Sequence, residues 1–168
     1  MTALETLVPN VTTSSDVEFL RAVAAMDAPV GHRDNLRLAW LLLTGHSPAN
    51  AAVEMLSAIT RRATARGGVV HVTKTMAWTI VVADALRHDA LRNAALRNMD
   101  DPTFELLVAD HPRLLDSGLL RRHYSEEVLE SASARTGWVE PDLAPLPIAS
   151  ITLDRALLTP TGECEVAR

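Results

Sequence analysis

The chain has 168 residues, 48% of them hydrophobic and 22% charged, with a formal net charge of -5. That length supports one hydrophobic core without disulfides or a structural metal, and the composition is that of an ordinary soluble globular protein. The acidic balance and scattered arginines exclude the dense basic face that nucleic-acid binding needs, so no nucleic-acid partner is expected.

Ser15 followed by Glu18 reads as a capping box, and Val17, Leu20, Val23 and Ala24 recur at helical spacing, which predicts a first helix over about 16–26. Pro29 and Gly31 break it. A second helix, from about Arg33 to Thr44, carries Leu36, Ala39, Trp40 and Leu43 on one stripe and stops at Gly45. Ser47 then Pro48 is an N-cap followed by an N1 proline, opening a third helix. Its expected buried face is Val53, Leu56, Ile59 and Ala63, with Arg61, Arg62 and Arg66 near the C-terminal dipole before Gly67 and Gly68.

From about Thr73 to Arg87, Met76, Ala77, Trp78, Ile80, Val81, Val82, Ala85 and Leu86 cover more than one face, which predicts a central helix packed on several sides. The β-branched Ile80-Val81-Val82 would also suit a buried strand, but the apolar stretch is too long for one. The following near-repeat DALRHDALRNAALRN matches no solenoid period, and a kink or fraying is expected near Asn93.

A short helix begins at Asp101-Pro102 and carries Phe104, Leu106 and Leu107 up to Pro112. Another piece holds Leu114, Leu115, Leu119 and Leu120, and Ser125 caps a last helix to about Arg135. The fold expected is all-α: a compact bundle of five to seven helices in a single domain over 1–142, followed by an irregular Pro-containing C-terminal tail over 143–168. The stretch 151–159 has some strand character and is a candidate for pairing with a second chain, so a homodimer is one expectation.

No run is long and apolar enough for a membrane span, and the N-terminus lacks a basic-then-apolar leader, so a cytoplasmic protein without a membrane partner is expected. Cys164 has no partner for an internal disulfide and is assigned no role.

Residues 32–40 read His-Arg-Asp-Asn-Leu-Arg-Leu-Ala-Trp and residues 68–75 read Gly-Val-Val-His-Val-Thr-Lys-Thr. With Leu119-Leu120, His123-Tyr124-Ser125, Ala134-Arg135 and Val139-Glu140-Pro141-Asp142, they resemble a family of small, poorly characterised bacterial helical proteins. Its members read close to H-x-D-H-L-R-x-A-W, then Y-H-E-T-x-T before a long apolar helix, then L-L-x-x-Y-Y-S and A-R-x-x-F-V-x-P-D. The likeness covers residues 18 to 147.

It implies a ligand set of two histidines and a His-Glu pair that suits a divalent metal. Here those positions hold His32 and Asn35, then His71 and Val72, so two of the four ligands are replaced. Lys74, the only lysine among sixteen Lys and Arg residues, stands where the family has an apolar residue. The expectation is changed chemistry without metal or other cofactor.

The candidate catalytic residues are therefore His71, Lys74, His32 and Tyr124, with Trp40, Trp78, Thr75 and Asn35 as candidate substrate contacts. An amine desolvated among Met, Trp and Val loses proton affinity and becomes a base or a Schiff-base nucleophile. The histidines, at the starts of two apolar helices, would act as acid and base in a pocket between the second and fourth helices, and Tyr124 as an auxiliary donor. A plainer reading competes for each residue. Lys74 lies in a first turn and can reach solvent along its stem. His71 can cap a helix or bond a carbonyl, Asp34 and Asn35 can cap, and the two tryptophans can simply pack. His46, His88 and His111 read as solvated.

Three functions follow. The leading one is a cofactor-independent enzyme of specialised metabolism doing cyclisation, isomerisation or elimination on a small apolar, carbonyl-bearing molecule. The alternatives are a metal-dependent enzyme using His32 and His71, and a non-catalytic small-molecule-binding or partner protein. No nucleophile elbow, phosphate loop or dinucleotide fingerprint occurs in the chain.

Overall fold

A computed structural model describes residues 13–25, 31–96 and 103–147, with the side chains of the long central helix described as far as Leu91. Among these residues there are seven α-helices and no strand. They are α1 (Ser14–Ala25), α2 (His32–Gly45), α3 (Pro48–Ala65), α4 (Val72–Leu96), α5 (Phe104–Asp110), α6 (Glu126–Glu130) and α7 (Ala132–Thr136). Two 3-10 turns, Pro112–Leu115 and Leu119–Arg122, link α5 to α6. The expected all-α bundle is present. The segment 151–159, Cys164 and the rest of the tail beyond 147 lie outside the described residues.

The core is the three-way packing of α2, α3 and α4. Leu36, Leu38, Ala39, Trp40, Leu41 and Leu42 of α2 are all buried, a wider band than one stripe, because α2 has neighbours on several sides. In α4, Met76, Ala77, Ile80, Val81, Val82 and Ala85 are buried around most of the cylinder, as a central helix requires. Its second half stays helical to Leu96, without the break expected near Asn93. Ala, Leu and Arg are strong helix formers, and Asp84 pairs along the helix with Arg87 (2.9 Å).

α3 starts where its cap chemistry says: the Ser47 side chain accepts the Asn50 N–H, and Pro48 occupies the first turn. It ends with Gly67 at φ 66°, in the left-handed region that a glycine tolerates, while the Gly67 and Gly68 N–H groups donate to Thr64 O and Ala63 O. Its buried face differs from the one expected. Ala51, Ala52, Met55, Ala58 and Arg62 face inward, whereas Val53 is 43% exposed. Small alanines let α3 approach its neighbours closely, so the interface follows them rather than the larger aliphatics. The buried Arg62 donates from Nη1 to Val23 O in the last turn of α1.

α1 also starts two residues earlier than the Ser15–Glu18 pattern predicts. Thr13 is its N-cap: Thr13 Oγ1 accepts from Asp16 N–H, and Asp16 Oδ2 accepts from Thr13 N–H, a capping box with Asp at its third position. The same Asp16 is buried and ion-paired with Arg37 of α2, a tertiary tie that Glu18, exposed on the other side of the helix, does not make.

The predicted last helix is two. Ser131 interrupts it, closing α6 and capping α7 by accepting the Ala134 N–H. After Gly137 the chain runs without helix or strand, bending at 142–144, to Pro147 and stays attached to the domain: Leu146 is buried, and Leu143 N–H donates to His123 O. α5 is capped by Thr103, whose side chain accepts from Leu106 N–H.

Candidate functional site

The start of α4 carries three of the eight residues singled out above, His71, Lys74 and Thr75, and the structure separates the eight by what their polar atoms do. His71 precedes the helix and caps it: its Nδ1 accepts the Lys74 N–H (3.3 Å), while Nε2–H donates to Leu129 O (2.5 Å). Both ring nitrogens are therefore engaged, which fixes the neutral Nε2–H tautomer. Burial holds the imidazole below its ordinary pKa, the Leu129 carbonyl opposes this, and the Lys74 and Arg135 cations add to the depression.

Thr73 is fully buried. Its hydroxyl donates to Gly137 O (2.7 Å) and accepts the Val139 N–H (3.1 Å). Tyr124 completes the same clasp by donating to Val139 O (3.1 Å). It is fully buried, and burial raises its phenol far above the ordinary range, with Glu140 and Asp142 adding to the effect. A phenol in that setting keeps its proton and its partner.

His32 is the first residue of α2, and its Nε2–H donates to Leu114 O (2.8 Å) in the first 3-10 turn. Its ring meets Trp78 edge-on, with centroids 4.4 Å apart. Asp34 caps α2 by accepting the Gly31 N–H (2.9 Å), the role expected for it. Trp40 is core, against Phe104. Thr75 lends its carbonyl to the Thr79 hydroxyl. The Asn35 side-chain oxygen and the Trp40 indole nitrogen are buried without a hydrogen-bond partner among the described residues.

Of the histidines expected to be solvated, His88 is exposed on α4, whereas His111 is half-buried against Asp89 (2.8 Å) and His46 Nε2 is buried without a partner among the described residues. His123 Nδ1–H is bonded to Pro145 O (2.9 Å).

Lys74 and Trp78, one turn apart on α4, line a cleft of about 160 Å³ whose other walls are Ser117, Leu120, Arg121, Glu126, Leu129 and Glu130. The cleft opens between α4 and the segment from Ser117 through α6, not between α2 and α4 as expected. Its lining mixes Trp78 and two leucines with two cations and two carboxylates. The Lys74 side chain is 38% exposed, and its Nζ donates to Glu130 Oε1 at 2.9 Å. Glu130, also paired with Arg135, is held below the usual carboxylate range, first by the Lys74 hydrogen bond and then by the positive charge of Lys74.

Of the eight residues selected from sequence, the cleft thus gathers Lys74 and Trp78, with His32 braced behind Trp78. His71, Tyr124, Thr75, Trp40 and Asn35 do not line it. Sequence reasoning missed Ser117, Arg121, Glu126 and Glu130. Glu126 was legible only as a first-turn acid of α6, and no spacing rule joins Lys74 to a residue 56 positions away.

Among the described residues, no group of three or more His, Cys, Asp or Glu side chains could hold a metal ion. His32 and His71 bond to separate carbonyls. Also among those residues, no helix is long and apolar enough to cross a membrane. Comparison with family models, curated proteins and solved structures finds no match to this chain.

Proposed function

We propose that this protein binds a small molecule in the cleft walled by Lys74 and Trp78. One observation carries the reading: the only lysine of the chain and a half-buried tryptophan share a concave wall with groups of both charge signs. Concave sites with an apolar wall and a few convergent polar groups are where small ligands bind. The volume suits a molecule of about one ring, since cavities of ~150 Å³ accept benzene.

The test uses the single lysine. In protein labelled only at lysine, the Lys74 side-chain signal shifts on adding a cleft ligand. Lys74→Met abolishes or weakens binding while leaving the melting temperature unchanged, because the pair it removes is solvent-exposed. Full-strength binding by that variant refutes the reading.

A second reading keeps an acid–base enzyme acting on a small carbonyl-bearing molecule, and the position of Lys74 on the cleft wall favours it. With the ammonium proton released to solvent, the free amine would attack a carbonyl carbon, forming a C–N bond with loss of water. Borohydride treatment with an aldehyde probe then adds the aldehyde's mass, less one water, plus two hydrogens, on Lys74; no adduct ends that reading. His71 and Tyr124 take no part in it, since their polar atoms are committed to backbone groups.

A further inference from the structure

The four charges of the cleft are not equivalent. Lys74 and Glu130 neutralise one another at 2.9 Å, and Arg135 also reaches Glu130 from outside the cleft. Arg121 and Glu126 line the same space, and neither side chain has a hydrogen bond or ion pair among the described residues. The cleft therefore presents one unpaired guanidinium and one unpaired carboxylate beside an indole, with its four charges summing to zero.

A singly anionic ligand satisfies Arg121 but meets Glu126, and a singly cationic one has the converse fault. A ligand bearing both charges satisfies both. A guanidinium matches a carboxylate in two parallel hydrogen bonds, and a carboxylate accepts from an ammonium. Building on the reading of the cleft as a binding site, we infer that its ligand is a small zwitterion of the α-amino-acid type. The ligand's carboxylate lies on Arg121, its ammonium on Glu126, and a ring or branched side chain against Trp78 and Leu120.

Trp78 is held for that contact by His32, whose ring is fixed on Leu114 O and packs against the indole at 4.4 Å. A volume of about 160 Å³ admits one such residue-sized molecule and not a peptide.

The experiment titrates the full chain, labelled at lysine, with L-phenylalanine, L-leucine, L-phenylalaninamide, N-acetyl-L-phenylalanine and N-acetyl-L-phenylalaninamide. These probes carry both charges, both charges, the positive charge alone, the negative charge alone, and neither. The expected result is that at least one zwitterion binds five- to tenfold more tightly than any of the other three. Arg121→Ala should weaken zwitterion binding at least fivefold and leave L-phenylalaninamide bound at least as tightly as before. Glu126→Gln should weaken it similarly and leave N-acetyl-L-phenylalanine bound at least as tightly as before. Both side chains are exposed, so the variants should fold as the parent does, which circular dichroism checks. Similar affinity for charged and uncharged probes overturns the zwitterion inference while upholding the cleft as a site. No Lys74 shift with any probe at millimolar concentration overturns both.

Discussion

Replacing Thr73 by valine keeps the shape of the side chain and removes one hydroxyl. That hydroxyl satisfies two backbone groups at once, Gly137 O at 2.7 Å and Val139 N–H at 3.1 Å, and Thr73 itself has no exposed surface. Leaving a buried donor or acceptor unpaired costs about 1–3 kcal/mol, and Gly137 and Val139 are half-buried, so water recovers part of the loss. The expected net effect is about 2 kcal/mol, which for a chain of this size lowers the melting temperature by about 4–8 °C.

Thermal unfolding followed by circular dichroism measures the shift, and hydrogen exchange at the Val139 amide shows whether the segment after Gly137 detaches first. Thr73→Ser, which keeps the hydroxyl, should recover most of the loss. Because Tyr124 holds the carbonyl of the same residue, Thr73→Val and Tyr124→Phe should be non-additive by at least ~0.5 kcal/mol. A valine variant as stable as the parent, or a serine variant as weak as the valine one, refutes the clasp.

Asp16→Asn should destabilise the chain by about 2 kcal/mol at pH 7, since it leaves Arg37 facing a neutral group at a mostly buried contact, discounted for the solvent Arg37 still sees. Burial alone would raise the Asp16 pKa, but hydrogen bonds from Arg37 and Thr13 outweigh it and lower it. Its stabilisation is therefore complete above the unfolded value near 4 and lost as pH falls through the lower folded one, so denaturant titrations of the Asn variant should lose that acid-side slope. His71, also depressed, contributes fully above its unfolded pKa near 6.5, and stability should fall as pH drops below it. His71→Gln, which can still donate to Leu129 O, should flatten the part of the profile below pH ~6.5; an unchanged slope there assigns it to another group.

The helices were legible where local chemistry decides them. Ser47-Pro48 and Gly67 bound α3, and the all-round apolar pattern of 76–86 marks α4 as central. The misses came from choices made by distant partners. Thr13-Ser14-Ser15-Asp16-Val17-Glu18 contains two overlapping cap patterns, and Arg37, 21 residues on, favours the first. Ser131 can sit within a helix or cap the next one, and the turn toward Gly137 uses it as a cap. In the site, the i, i+4 spacing of Lys74 and Trp78 was legible, but their opposite wall comes from short helical turns with weak periodicity.

That irregular half also explains why so many promising polar residues proved unavailable. A chain that ends short helices and 3-10 turns in quick succession exposes many carbonyls with no partner inside their own helix. Side-chain donors from other elements meet them: His32 on Leu114 O, His71 on Leu129 O, Thr73 on Gly137 O and Tyr124 on Val139 O, just as Arg62 meets Val23 O at the end of α1. A histidine or threonine at the start of an apolar helix therefore reads the same whether it serves a ligand or a carbonyl. What separates the two is the atoms left over. After those five pairings, the cleft's chemistry rests on an amine with a carboxylate beside it, a braced indole, and two unpaired charges of opposite sign, so ligand recognition here should respond to Lys74, Trp78, Arg121 and Glu126, and stability to the hooks.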